Sequence, residues 1–137
     1  MAYKIRRVDY FYVTVQDQPG EAYSVISHLA QLGVNLLAVT AVPIGPMTTQ
    51  LQLFPEDSHK LMSAAEKAKL TLSAPQQALL VQGDDELGAL AKVHARLADA
   101  KVNVYATSGV ADGKGHYGYL IYLRPEEFEH ARKVLEV

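Results

Sequence analysis

The chain contains no cysteine among its 137 residues. Disulfides, thiolate nucleophiles and cysteine-ligated zinc are therefore excluded, and the absence fits a reducing, cytoplasmic setting. No apolar run approaches the roughly 20 residues needed to span a bilayer. The opening stretch MAYKIRRVDY has no apolar h-region of a secretory signal. Charge of one sign is also scarce: 13 Lys and Arg against 15 Asp and Glu leave a net charge of −2. The only dense basic cluster is Lys4-Ile5-Arg6-Arg7. Nucleic-acid binders usually carry a basic footprint, because phosphate neutralisation supplies much of their affinity. Nucleic acid is thus a disfavoured partner, and no membrane partner is expected.

Chemistry-bearing motifs are missing as well. His28, His59, His94, His116 and His130 form no i,i+4 pair and no HExxH. No serine has the Gly-x-Ser-x-Gly setting of an activated nucleophile. Gly113-Lys114-Gly115 lacks the spacing of a phosphate loop. The expectation is a protein that is not an enzyme and uses no cofactor or metal. What remains is an ordinary globular composition, 49% hydrophobic and 20% charged. A chain of this length buries enough surface for a real core.

The sequence repeats itself. Asp17 precedes Gly20 by three positions, and Asn35 follows Gly20 by fifteen. Asp85, Gly88 and Asn103 have the same spacing. Val34-Asn35 matches Val102-Asn103, and Pro55-Glu56-Asp57 matches Pro125-Glu126-Glu127. The offset grows from 68 to 70 where Pro43-Ile44-Gly45-Pro46 is answered by GVADGKG, Gly109 to Gly115. That stretch reads as a turn, where added length is cheap.

Each copy reads β-α-β-β-α. Phe11, Val13 and Val15 alternate with Tyr10, Tyr12 and Thr14, the period of a strand. Asp17-Gln18-Pro19-Gly20 reads as a turn and helix start with an Asp cap. Ala22, Val25, Ile26, Leu29 and Leu32 form a helical stripe, and Gly33 stands where a left-handed residue ends a helix. Strands are expected over residues 36–42 and 48–54, a helix over 56–68, and a fourth strand over Lys69-Leu70-Thr71-Leu72-Ser73. The second copy predicts a strand over 78–82, a stripe of Leu90, Val93, Leu97 and Ala100, a hairpin of 102–108 and 117–123, and a last helix carrying Phe128, Ala131, Val134 and Leu135. Its fourth strand is absent. Residues 3–8 have no counterpart and are expected to lie as a strand beside the second copy. The predicted class is α+β: two ferredoxin-like βαββαβ units, residues 1–74 and 75–137, with antiparallel sheets and helices on one face.

The stretch DQPGEAYSVISHLAQLGVN, residues 17–35, resembles the ACT domain, the small-molecule regulatory module of amino-acid metabolism. Asp17, Pro19, Gly20, Gly33, Val34, Asn35 and Leu36 fit its pattern. In the second copy Asp85, Gly88, Val102, Asn103 and Val104 fit, while Leu87 replaces Pro and Lys101 replaces Gly. The resemblance covers the whole chain as two tandem copies. It implies a free-standing, non-catalytic regulator, a homodimer, binding a small amino acid or related metabolite at an interface between ACT-like units, whether two copies or two chains. The implied ligand residues are Asp17, Gln18, Pro19, Gly20 and Asn35 in the first copy, and Asp85, Gly88 and Asn103 in the second. Val15 stands where some serine-binding members carry His, which argues against serine.

Physical chemistry gives those residues a matching role. A helix N-terminus presents unpaired N–H groups to a carboxylate. Asp17 suits an ammonium group, and Asn35 offers both a donor and an acceptor. The same residues also read as plain structure, a helix start and a side-chain-held turn. A structural dimerisation module without ligand is then the alternative. Gly83-Asp84-Asp85-Glu86 reads as charge matched to a helix start rather than a cation site. His94 takes the place of Ile26 and reads as a half-buried, hydrogen-bonded side chain.

One further stretch, KGHYGYLIYL at Lys114 to Leu123, matches most of an RNA-recognition strand. Alternation puts Tyr117 and Tyr119 on one face, Leu120 and Tyr122 on the other. The second pair is expected to meet the helices, leaving Tyr117, Tyr119, Tyr10 and Tyr12 on a bare sheet face. The neighbouring strand Ala78-Leu79-Leu80-Val81-Gln82 offers neither an aromatic nor a positive charge, so those tyrosines are expected to meet a protein subunit.

Overall fold

The computed structural model describes residues 3–137. Its elements run β1 (Tyr3–Gln16), α1 (Glu21–Gln31), β2 (Leu36–Ile44), β3 (Thr48–Pro55), α2 (Ser58–Ala68), β4 (Gln76–Asp84), α3 (Ala89–Asp99), β5 (Ala106–Ala111), β6 (His116–Tyr122) and α4 (Pro125–Val134). The described residues divide into two compact units: Asp9–Gln76, and residues 3–8 together with Gln77–Val137.

In the unit of residues 9–76 the strand order is β2-β3-β1, all antiparallel. Phe11 and Val13 on β1 stand opposite Leu53 and Leu51 on β3. These alternate side chains point to one face, as the period of two requires. There they meet Val25 and Leu29 of α1 and Leu61 and Ala64 of α2 in a closed apolar cluster. Burying one such Leu stabilises by about 1.5–3 kcal/mol. α1 ends at Gly33, whose φ of +82 is the expected left-handed C-terminal turn.

The expected fourth strand over Lys69–Ser73 does not form. Lys69 takes a left-handed φ of 58 to close α2, with the Leu70 N–H donating to Ala65 O. Leu70 and Leu72 then pack against the core cluster. A single backbone rung joins the segment to β1, Ser73 N–H to Tyr12 O at 3.0 Å. The return bond comes from Tyr12 N–H to the Ser73 hydroxyl at 2.9 Å rather than to a backbone carbonyl. A side chain thus replaces the ladder before it can extend.

In the other unit the order is β1-β4-β6-β5. Leu79 and Val81 of β4 lie opposite Ile121 and Tyr119 of β6. Their helix-facing side packs with Val93 and Leu97 of α3 and Phe128 and Ala131 of α4, and Tyr3 and Ile5 of β1 join the same cluster. Arg96 ties the cluster's rim, donating to the Tyr3 hydroxyl at 3.2 Å and to Val134 O at 3.0 Å. The molecule is α+β, with helices on one face of antiparallel sheets in each unit.

The register reverses the expected orientation of the tyrosines of β6. Tyr117 and Tyr119 stand on the helix-facing side with Ile121, because they pair with Gly83 and Val81 across the ladder. Leu120 and Tyr122 occupy the opposite face and are buried there too. Alternation separates the two sets but does not name the core face when both are apolar. Tyr10 and Tyr12 do point away from the helices, with Tyr10 stacked on Phe54 at 4.9 Å between ring centroids. Strand β5 also lies further along than expected: Gly109 to Ala111 belong to it, and the turn is confined to residues 112–115.

Candidate ligand groove

The two helix-entrance turns fold alike. Gly20 and Gly88 are the residues before α1 and α3, with φ of 86 and 77, a left-handed backbone that glycine adopts without strain. Neither helix has a side-chain cap. Asp17 therefore does not cap α1 as expected. Its backbone N–H is instead fixed to Met47 O at 2.9 Å, and its side chain is left to solvent with Gln18, Pro19 and Gly20. Asp85 is held in the same way by Gly115 O at 2.8 Å. Each turn thus ends on a helix N-terminus that no side chain caps; the Glu21 and Ala89 N–H groups donate instead to the backbone carbonyls of Gln18 and Glu86, and the positive dipole end stays exposed.

In the second unit this entrance forms one wall of an open groove of about 400 Å³. Asp85, Glu86 and the first turn from Gly88 to Ala91 line that wall; Gly109–Ala111 of β5 and Tyr117–Tyr119 of β6 line the other. The charged side chains lining it are acidic, Asp85 and Glu86. Both walls carry small residues facing the groove: Ala89 on one, Gly109 and Gly118 on the other.

Tyr119 is pinned in place. Its hydroxyl lies 2.7 Å from His94 Nε2 and its ring meets the imidazole edge-on at 5.7 Å. Gly109 makes room for that ring, since a Cβ there would sit 2.5 Å from Tyr119 Cδ1. Tyr117 is different. It is 8% exposed and its hydroxyl has no hydrogen-bond partner among the described residues. Burial pushes the hydroxyl above the usual tyrosine range, and the nearby Tyr3, Glu86 and Asp84 push the same way.

The two asparagines lie elsewhere. Asn35 donates through Nδ2 to Glu56 Oε2 at 2.7 Å, and its carbonyl accepts the Glu56 N–H. The Asn103 N–H donates to Glu127 Oε1 at 3.1 Å. Asp17 sits beside the start of β3, while Asn35 sits beside the end of it. An eight-residue strand separates those ends by roughly 20 Å. β6 separates Asp85 from Asn103 in the same manner. No site within one unit brings either aspartate together with its asparagine.

Sequence reasoning missed Glu86, Gly109, Tyr117 and Tyr119 as lining residues. The available signal was their spacing: His94, one helical turn inside α3, stands over the strand face that holds Tyr119. His94 itself is half-buried and hydrogen-bonded, as expected. His116 lies 3.5 Å from Asp112 and 4.0 Å from Asp84 at the β5–β6 turn. Asp112 accepts the N–H groups of Lys114 and His116, and those bonds hold its carboxyl below the usual range. The arrangement organises the turn. Among the described residues no group of His, Cys, Asp and Glu could hold a metal ion. No described helix is long and apolar enough to cross a membrane.

No family model and no curated protein matches the chain. Solved structures do. A crystal structure of protein BT0572 from Bacteroides thetaiotaomicron aligns with a TM-score of 0.81 at 19% identity, covering 96% of this chain and 88% of that one. The ligand-free regulatory subunit of aspartate kinase from Thermus thermophilus aligns at 0.66 and 16% identity, covering 99% and 95%. The regulatory subunit of aspartate kinase from Thermus flavus aligns at 0.59 and 15% identity, with the same coverage. The likeness is one of fold, and the fold is ACT-like.

Proposed function

We propose that this chain is a non-catalytic regulatory protein that binds a small amino acid or related metabolite at the helix-entrance groove of its second unit. The observation that carries the reading is the groove itself: a helix N-terminus without a side-chain cap and two carboxylates beside small apolar lining residues. A zwitterion matches that layout. Its ammonium group pairs with Asp85 or Glu86, its carboxylate meets the first turn of α3 after Gly88, and its side chain rests among Ala89, Val110 and Gly118. The fold shared with regulatory subunits of aspartate kinase supports a sensing role.

The turn of Asp17, Gln18, Pro19 and Gly20 is the corresponding entrance in the first unit. Asn35 and Asn103, far from the entrance of their own units, serve as ligand contacts only across the interface of a homodimer. Strand β5 offers an edge for such an assembly. Its six residues are all exposed, and Ala106-Thr107-Ser108-Gly109-Val110-Ala111 carries no charge or proline that blocks strand pairing. Ligand at such an interface acts by favouring one assembly over another.

A thermal-shift screen of the twenty amino acids tests the reading. A ligand at a hundred times its Kd stabilises by about 2.7 kcal/mol. The shift shrinks in Asp85→Asn, which removes a charge from an exposed side chain. No shift with any amino acid points instead to a structural dimerisation module.

A further inference from the structure

Three positions of the second unit depend on one another. The Tyr119 hydroxyl lies 2.7 Å from His94 Nε2, and the ring meets the imidazole edge-on. Gly109, the cross-strand neighbour of Tyr119, leaves the space that the ring occupies: a Cβ there would lie 2.5 Å from Cδ1 and 3.3 Å from Cε1. The first unit has none of the three. The repeat puts Ile26 in the place of His94 and Thr49 in that of Tyr119, and Pro43 stands opposite Thr49 as Gly109 stands opposite Tyr119. That unit forms the matching helix and hairpin without them, so the fold does not require the set.

What the set shapes is the groove. Tyr119 and Gly109 both line it, and Tyr119 is only half-buried, so the ring edge that lies over Gly109 belongs to the wall. His94 is not among the lining residues and reaches the groove through Tyr119. A tyrosine ring at an open wall can turn between rotamers and then offers no fixed surface. The bond to His94 and the packing over Gly109 hold this ring in one orientation. A preformed surface costs a ligand less ordering than one that sets on binding. Ala89, Leu90 and Val110 add apolar surface to the same lining.

We propose that His94 is a positioning residue for this groove: through Tyr119 it fixes the wall on which an apolar side chain of the bound amino acid packs. This rests on the amino-acid-binding reading above and narrows it to ligands with an apolar side chain. Each methylene buried against such a wall strengthens binding about fourfold. Partial burial of three carbons on an open wall then gives a preference of about tenfold.

Calorimetric titration of the full chain with glycine and valine tests it, since the two differ only in the apolar side chain. The wild type binds valine about tenfold more tightly than glycine. His94→Leu and Tyr119→Phe each remove the bond between the two side chains, and each lowers that ratio to about threefold. The double variant lowers it no further, because the same bond is lost. Tyr119→Phe keeps the ring and its packing, so the test stands even if His94→Leu does not fold. His94→Gln, whose amide nitrogen reaches the place of Nε2, keeps the ratio at about ten. Melting temperature is read for every variant. A lower melting temperature with an unchanged valine-to-glycine ratio means that the bond serves the fold alone and overturns the proposal. A wild type that binds glycine and valine alike overturns it too and leaves the amino-acid reading intact. If the wild type binds none of the twenty amino acids, that reading falls and takes this proposal with it.

Discussion

Replacing Gly109 with alanine probes how the groove wall is built. A Cβ at that position falls 2.5 Å from Tyr119 Cδ1 and 3.3 Å from Gly118 O. The first distance lies well inside van der Waals contact, and the atom belongs to a ring close to its anchor. Tyr119 must swing aside. Overpacking of this kind costs about 1–3 kcal/mol. Moving the ring also breaks the 2.7 Å bond to His94, worth about 1 kcal/mol. The loss of glycine's freedom in the unfolded chain returns about 0.4–1 kcal/mol. The net expectation is a destabilisation of about 2 kcal/mol. Urea unfolding followed by circular dichroism reads it as a midpoint lower by about 1 M with an unchanged slope, for a slope of about 2 kcal/mol/M. In a Tyr119→Ala background the clash partner is gone, and Gly109→Ala then costs less than about 0.5 kcal/mol. The double-mutant cycle therefore shows a coupling of about 2 kcal/mol. A Gly109→Ala cost of the same size in both backgrounds refutes the packing argument.

Two further outcomes follow from named groups. Lys101 holds a left-handed φ of 60 at the end of α3, where the first unit has Gly33. Lys101→Gly removes that strain and stabilises by up to about 1 kcal/mol in the same urea assay; a destabilisation contradicts it. Tyr117 keeps its proton to a higher pH folded than unfolded. Its contribution is complete below the ordinary tyrosine value of about 10 and is lost as pH rises beyond it. Melting temperature thus falls less steeply above about pH 10 in Tyr117→Phe than in wild type, and equal slopes count against the burial of this hydroxyl.

The repeat, most of the two helix stripes and the helix-entrance turns are legible because each rests on local pattern: Val25 and Leu29 at helical spacing, Gly20 and Gly88 before their helices, Phe11 and Val13 alternating; Ile26, expected in the first stripe, is exposed instead. What escaped was decided by partners distant in sequence. The face of β6 depends on the register that sets Tyr117 against Gly83, and both of its faces are apolar. The distance from Asp17 to Asn35 depends on the length of an intervening strand and on Glu56 holding the asparagine. KLTLS has the alternation of a strand, but Lys69 is drawn into closing α2 and the Ser73 hydroxyl takes the rung. Gly109 looked like turn composition. Its role appears only once the Tyr119 ring is seen to lie across it. Tyr117 is buried and Tyr119 is held by His94 on the helix-facing side, so neither stands on a bare sheet face as the RNA-recognition pattern expects.

The central proposal is that the second helix-entrance groove binds a small amino acid. Amide chemical-shift mapping of the full chain, titrated with each of the twenty amino acids in turn, tests it most directly. The account predicts saturable shifts concentrated at Asp85 to Ala91, Gly109 to Ala111 and Tyr117 to Tyr119. Saturable shifts located elsewhere, or none with any of the twenty amino acids, contradict it.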